Sequence, residues 1–210
     1  MKDRKILAVD PSLTCSGWAF FSVSTKQLPA LGKIRCLPAS FNLSLRLKDI
    51  QDKVKKILSE IQLSENDVLV CEAATSMKDP SAAFKVESVR GIFEVLGREA
   101  GAIVPGRINP RTVQNEVLGL RGKQLEREHV KDIATNVAYR LFVKDLKRIG
   151  FDSSESALKK NQDIVDALLL GHVALTRLES IDRAKDINVE DLFAEKRKSR
   201  FSTKVANLKT

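Results

Sequence analysis

Three short apolar runs lie within the first 37 residues, separated by turn formers, and they constrain this chain more than any other feature. Residues 5–10 (KILAVD), 17–24 (GWAFFSVS) and 32–37 (GKIRCL) have the length and composition of strands, with Pro11-Ser12 and then Lys26 to Pro29 between them. Strands joined so closely can only pair antiparallel, because a parallel partner needs a crossover of about a dozen residues or more. Helical periodicity follows, with Leu47, Ile50, Val54, Ile57, Leu58 and Ile61 on one face and Lys and Asp filling the other.

The rest of the chain alternates. DVLVCE (67–72) reads as a fourth strand, Pro80-Ser81 opens a second helix to about Arg98, and GAIVP (101–105) reads as a fifth strand. NPRTVQNEVLG (109–119) begins a short helix with Asn-Pro, and 129–142 is another helix. Residues 144–161 are polar and predict a surface loop. A last strong helix covers about 163–178, with Ile164, Ala167, Leu168, Gly171 and Leu175 on one side. The order predicts an α/β fold: a mixed five-stranded sheet, three strands antiparallel and the others parallel, flanked by helices. One domain is expected over 1–182. A basic extension, 183–210, follows it and is expected to be flexible, its end (EKRKSRFSTKVANLKT, from Glu195) low in periodicity.

Composition removes several classes of function. No apolar run approaches the ~20 residues that span a bilayer, and the Met-Lys-Asp-Arg-Lys start does not lead into a secretory signal. An intracellular, cytoplasmic protein without a membrane partner is therefore expected. Three cysteines (Cys15, Cys36, Cys71) without CxxC spacing argue against a disulfide framework or a structural zinc site. With only His129 and His172 present, catalysis has to lean on carboxylates, and a net charge of +9 favours a polyanionic partner.

Four acids stand out. Asp10 and Glu72 each end a predicted strand, at the sheet edge where open α/β sheets build their sites. Asp163 and Asp166 fall at i and i+3 on the first turn of the last helix. Each alone has an ordinary explanation, a turn or cap for Asp10 and the helix dipole for the pair. Together at one edge they would repel one another unless hard cations neutralised them, and oxygen ligands select Mg²⁺ or Mn²⁺. Two such ions about 4 Å apart activate a water and stabilise the leaving oxygen of a phosphodiester. A basic protein around an acidic metal site suits hydrolysis of a nucleic-acid backbone.

These residues carry a resemblance. ILAVDPSLTCSGWAF, VLVCEAATSMKDPSAAFKVESVRGIFEVL, INPRTVQNEVLGLRGK and QDIVDALLLGH, in that order over roughly residues 5–178, resemble the RuvC-type Holliday-junction resolvases of the ribonuclease H-like superfamily. The resemblance implies that Asp10, Glu72, Asp163 and Asp166 are catalytic metal ligands for two Mg²⁺ per site, with Mn²⁺ able to substitute. It implies a homodimer that nicks opposed strands of a four-way DNA junction symmetrically, with the helix around Pro80 to Leu96 supplying much of the dimer contact. Lys78, Lys85, Arg90, Arg111, Arg121, Lys123 and Lys131 are the cations expected to meet DNA. Two departures bear on substrate choice: Thr75 stands where many members carry an aromatic, and Gln114 where a lysine is frequent.

Three rivals remain open at this level. A ribonuclease H-like nuclease for forks, flaps or RNA would keep the chemistry and change the substrate. An actin-like ATPase opens with a similar strand, acid and hydroxyl-rich hairpin, but needs a second domain and a Gly-rich nucleotide motif. A non-catalytic binder of branched DNA would bind without metal-dependent cutting.

Overall fold

The computed structural model describes residues 3–73, 79–121, 125–183 and 189–193. The first three runs form an antiparallel meander, β1 (Lys5–Asp10), β2 (Cys15–Ser22) and β3 (Ala30–Arg35). In its register Asp10 faces Gly17 across β1 and β2, and Gly17 faces Lys33 across β2 and β3. β2 and β3 each begin two residues before the expected position. The reason is the turn: Ser22 N–H bonds the Gln27 carbonyl and Thr25 Oγ1 lies 2.7 Å from Ser22 Oγ, so Val23 and Ser24 belong to the connection.

Two parallel strands complete the sheet. β4 (Val68–Glu72) lies beside β1 and β5 (Arg107–Ile108) beside β4, giving the order β3-β2-β1-β4-β5 among the described residues. Asp67, buried at the entrance to β4, accepts from the backbone N–H groups of Lys5 and Ser64 and so fixes where β1 and β4 start. The crossovers are helices: α1 (Leu43–Glu60), capped by Asn42, precedes β4, and α2 (Pro80–Glu99), capped by Asp79, precedes β5. The expected mixed sheet flanked by helices is the fold.

Strand alternation sorts the core into two layers. Ile6, Ala8, Ala19, Phe21, Val68 and Val70 point to one face, where α6 (Gln162–Arg183) lies along the sheet with α4 (Arg127–Arg148) outside it. Leu7, Val9, Phe20, Ile34, Leu69 and Cys71 point to the other and bury Ile50 and Val54 of α1 and Val89 and Phe93 of α2. Cys71 is thus a core thiol on the face opposite Glu72, as its strand position predicts. α6 comes very close to the sheet. A Cβ on Gly171 would fall 2.1 Å from the Phe21 ring, and only a hydrogen there lets helix and sheet meet.

Three expectations change. GAIVP (101–105) is not a strand: Ile103 makes one isolated parallel bridge to Val68, and Pro105, with no N–H to give, delays β5 to Arg107. The polar stretch 144–161 is not a loop either. α4 continues through Arg148, the short α5 (Glu155–Lys160) follows, and Leu146 and Leu158 are fully buried, Leu146 between Asp145 and Lys147 and Leu158 just before Lys159 and Lys160, charges that mask them in the sequence. Between β5 and α4 lies α3 (Pro110–Glu116), opened by an Asn109 cap as Asn-Pro predicts. Within the expected extension, α7 (Val189–Phe193) packs back on the body, burying Val189 and Phe193, with Arg177 over the Phe193 ring at 5.7 Å. The tail from Glu195 lies outside the described residues. No helix among the described residues is long and apolar enough to cross a membrane.

Candidate active site

Two adjacent parallel strands bring the first pair of acids together. Val9 registers with Cys71, so Asp10 and Glu72 follow side by side at the carboxyl edge, both directed by alternation to the α6 face. Asp163 arrives through Gly17. A Cβ at that glycine would fall 1.9 Å from the Asp163 carbonyl oxygen, so only glycine lets the first turn of α6 rest against the strand residue opposite Asp10. Asp166 follows on the same turn. The four expected acids therefore converge at one sheet edge.

Their electrostatics follow from that crowding. The Asp10 carboxyl lies well above the usual carboxylate range because it is buried, because Glu72 is beside it, and because it donates a hydrogen bond to Glu72. Glu72 is pushed up to about 7 by burial and by the charge of Asp166, opposed by the bond from Asp10 and by Arg90. Asp166 is also raised, by the protein packed around it and then by the charges of Asp10 and Asp163. Its outer surface is open to solvent. Three carboxyls thus resist ionising together without added positive charge.

Partial compensation comes from cations, some of which the sequence left unmarked. Lys33 Nζ, from the residue opposite Gly17, stands 4.0 Å from Asp163. Lys131 and Arg127, on the first turns of α4, oppose the rise at Asp166. The Cys15 thiol, raised by its own burial, hydrogen-bonds Asp163.

Arg90 corrects an expectation. It is only 1% exposed, so it offers no contact to DNA. Its Nε donates to the Glu72 carbonyl at 2.9 Å and its Nη1 pairs with Glu87, placing a permanent charge behind Asp10 and Glu72. A signal for this existed: Arg90 lies on the stripe of α2 that buries Val89, Phe93 and Leu96. Glu87 in turn holds Arg107, which is also clamped by Glu94.

Of the other expected cations, Lys85, Arg111 and Arg121 are exposed and Lys131 is half-buried near Asp166. Lys78 and Lys123, with Thr75 and Met77, lie outside the described residues. His129 is exposed, and His172 stands edge-on to Phe142 at 6.0 Å, away from the acids, as a packing residue would.

Among the described residues no three His, Cys, Asp or Glu side chains are already drawn to metal-coordinating spacing. The donor set still suits a hard divalent cation: it is all carboxylate oxygen, crowded, and under-compensated by the basic groups nearby.

A mixed sheet in this order, with acids ending β1 and β4 and opening the last long helix, is the ribonuclease H-like fold. No family model matches the chain. In sequence it is similar to the crossover junction endodeoxyribonuclease RuvC of Parvibaculum lavamentivorans, 30% identical over 115 residues. That match covers 54% of this chain and spans 63% of the relative's length. In fold it is similar to T. thermophilus RuvC in complex with a Holliday junction substrate, with TM-score 0.58 and 17% identity over 86% of this chain and 96% of that one. A second Thermus thermophilus RuvC structure gives the same TM-score and identity over 85% and 95%.

Proposed function

We propose that the chain is a metal-dependent endodeoxyribonuclease of RuvC type that resolves four-way DNA junctions by paired symmetric nicks, leaving 5′-phosphate ends. The observation that carries this reading is the convergence of Asp10, Glu72, Asp163 and Asp166 at one edge of a RuvC-like fold. Those four side chains would hold two Mg²⁺, or Mn²⁺ in their place. When bound, such ions activate a water for in-line attack on the scissile phosphate and stabilise the leaving oxygen. The chain's own residues prepare the site. Asp10 must give up the proton it shares with Glu72, and Arg90 favours that loss from behind. Lys33 beside Asp163 and Lys131 beside Asp166 would offset phosphate charge as a strand enters.

A homodimer fits the same reading, since opposed nicks need two sites. The outer face of α2 supports it: Phe84 is 64% exposed and Val95 56% exposed, and Gly91 between them has open space around it. With Ser88 these residues follow an i, i+4, i+7, i+11 spacing, a stripe suited to a second copy of the helix. A nuclease for forks, flaps or structured RNA is the alternative, favoured by Thr75 at the usual aromatic position.

The test is nicking of a synthetic four-way junction against three-way, flap, duplex and RNA–DNA hybrid substrates, with Mg²⁺ titrated. Junction cutting at paired symmetric positions is expected, and Asp10→Asn should abolish it while junction binding persists. Equal rates on every substrate would sink the resolvase assignment and leave the broader nuclease.

A further inference from the structure

We infer that the edge of β3 and the adjoining face of α1 form a track for the DNA backbone leaving the carboxylate cluster. This rests on the nuclease reading above and adds a second contact region to it. A cleft of about 540 Å³ opens at that edge. Four cations line it, Lys33, Arg35, Lys53 and Lys56, against one acid, Glu60.

The cations are continuous with the site. Lys33 stands 4.0 Å from Asp163, and Arg35 follows two residues later on the same face of β3, about 7 Å further on. Lys53 Nζ donates to the Arg35 carbonyl at 2.7 Å, tying α1 to the end of the strand. Lys56 stands exposed one turn of α1 beyond it. The cations therefore follow one another from the acids round the sheet edge, with Lys53 also paired to Asp49 at 2.7 Å and Lys56 to Glu60 at 3.8 Å, solvent-screened pairs from which a phosphate can draw the lysines. Trp18, the single tryptophan of the chain, forms a wall of the cleft. Its ring lies so close over Gly32 that a Cβ there would come within 2.8 Å, and among the described residues its Nε1 has no hydrogen-bond partner.

The chemistry favours phosphates over bases. Lys and Arg side chains strung along a strand edge and a helix neutralise a backbone irrespective of sequence. β3 is also a sheet edge, and edge lysines can serve only to block pairing with another chain. Binding measurements separate the two roles.

The experiment compares Arg35→Glu/Lys56→Glu with a charge-matched control, Lys144→Glu/Lys147→Glu, on exposed positions near the far end of α4. Arg35→Gln/Lys56→Gln serves as a milder pair should charge reversal impair folding. The probe is a synthetic four-way junction with long or short arms, in metal-free buffer. At about 0.1 M salt the track variants should bind the long-armed junction roughly ten-fold more weakly than the control, with a log–log salt slope shallower by about 2. The deficit should shrink with short arms, and Trp18 emission should change when the wild-type protein binds. Affinity and slope equal to the control overturn the track and leave these cations as edge guards. Unaltered Trp18 emission on binding also overturns it. A wild-type protein that binds no branched DNA overturns the nuclease reading and the track together.

Discussion

Asp10 illustrates how a single residue here is defined by its neighbours. Half-buried at the end of β1 and hydrogen-bonded to Glu72, it keeps a proton that an exposed aspartate would lose. Glu72 titrates near 7, against 4.5 for the free side chain, and Asp166 is shifted the same way. Between those pH values the folded, metal-free chain binds more protons than the unfolded chain. Stability from these acids is therefore fully present below about pH 4.5 and is lost as pH rises through 7. Glu87 does not blur the effect, since its bond with Arg90 holds it below its usual range and it is ionised throughout. The melting temperature in chelator should thus fall from pH 5 to pH 8, by roughly 2–4 °C for each kcal/mol lost. Mg²⁺ should restore more at pH 8 than at pH 5. His172, held below its usual range by burial, works the other way as pH rises to 6.5, so the decisive interval is pH 6.5 to 8, and a flat profile there would mean that the acids are not crowded.

At the scale of elements, α6 decides whether a site exists. β1 and β4 supply two acids, but the other two arrive only because α6 settles against Gly17 and Gly171. Gly17→Ala should therefore be unusually costly. Its methyl would meet the Asp163 backbone, which cannot rotate aside, so about 1–3 kcal/mol or more of overpacking is expected. Because the displaced turn carries Asp163 and Asp166, cutting should fall by far more than the melting temperature suggests. Gly171→Ala, which meets the Phe21 ring instead, should lower stability with a smaller effect on cutting. Melting curves and single-turnover rates on the same preparations test both. α2 has the complementary role: its inner face holds Arg90 behind Glu72, while its outer face is left apolar.

For the whole molecule, the proposed pairing through α2 makes a separate prediction. Phe84→Glu/Val95→Glu places charge on the exposed stripe without touching the core, so the chain should fold and run as a monomer in sedimentation. Its nicks should lose their pairing, with one strand cut per encounter and the symmetric product strongly reduced. Paired cutting by a demonstrated monomer would rule out the α2 dimer as the source of symmetry.

Much of this protein is written locally. Strand alternation and helical periodicity identify the elements, and acids at strand ends and on a first helical turn identify Asp10, Glu72, Asp163 and Asp166, because those signals depend on neighbours a few residues away. The polar run 144–161 was misleading since two buried leucines carry little weight among so many charges. What tertiary structure alone decided is partnership. Lys33 meets Asp163 across 130 residues of chain through strand pairing and the α6 approach at Gly17, and Arg90 turns inward to Glu72 rather than outward to DNA. Those contacts depend on how helices dock on the sheet, which no local periodicity records.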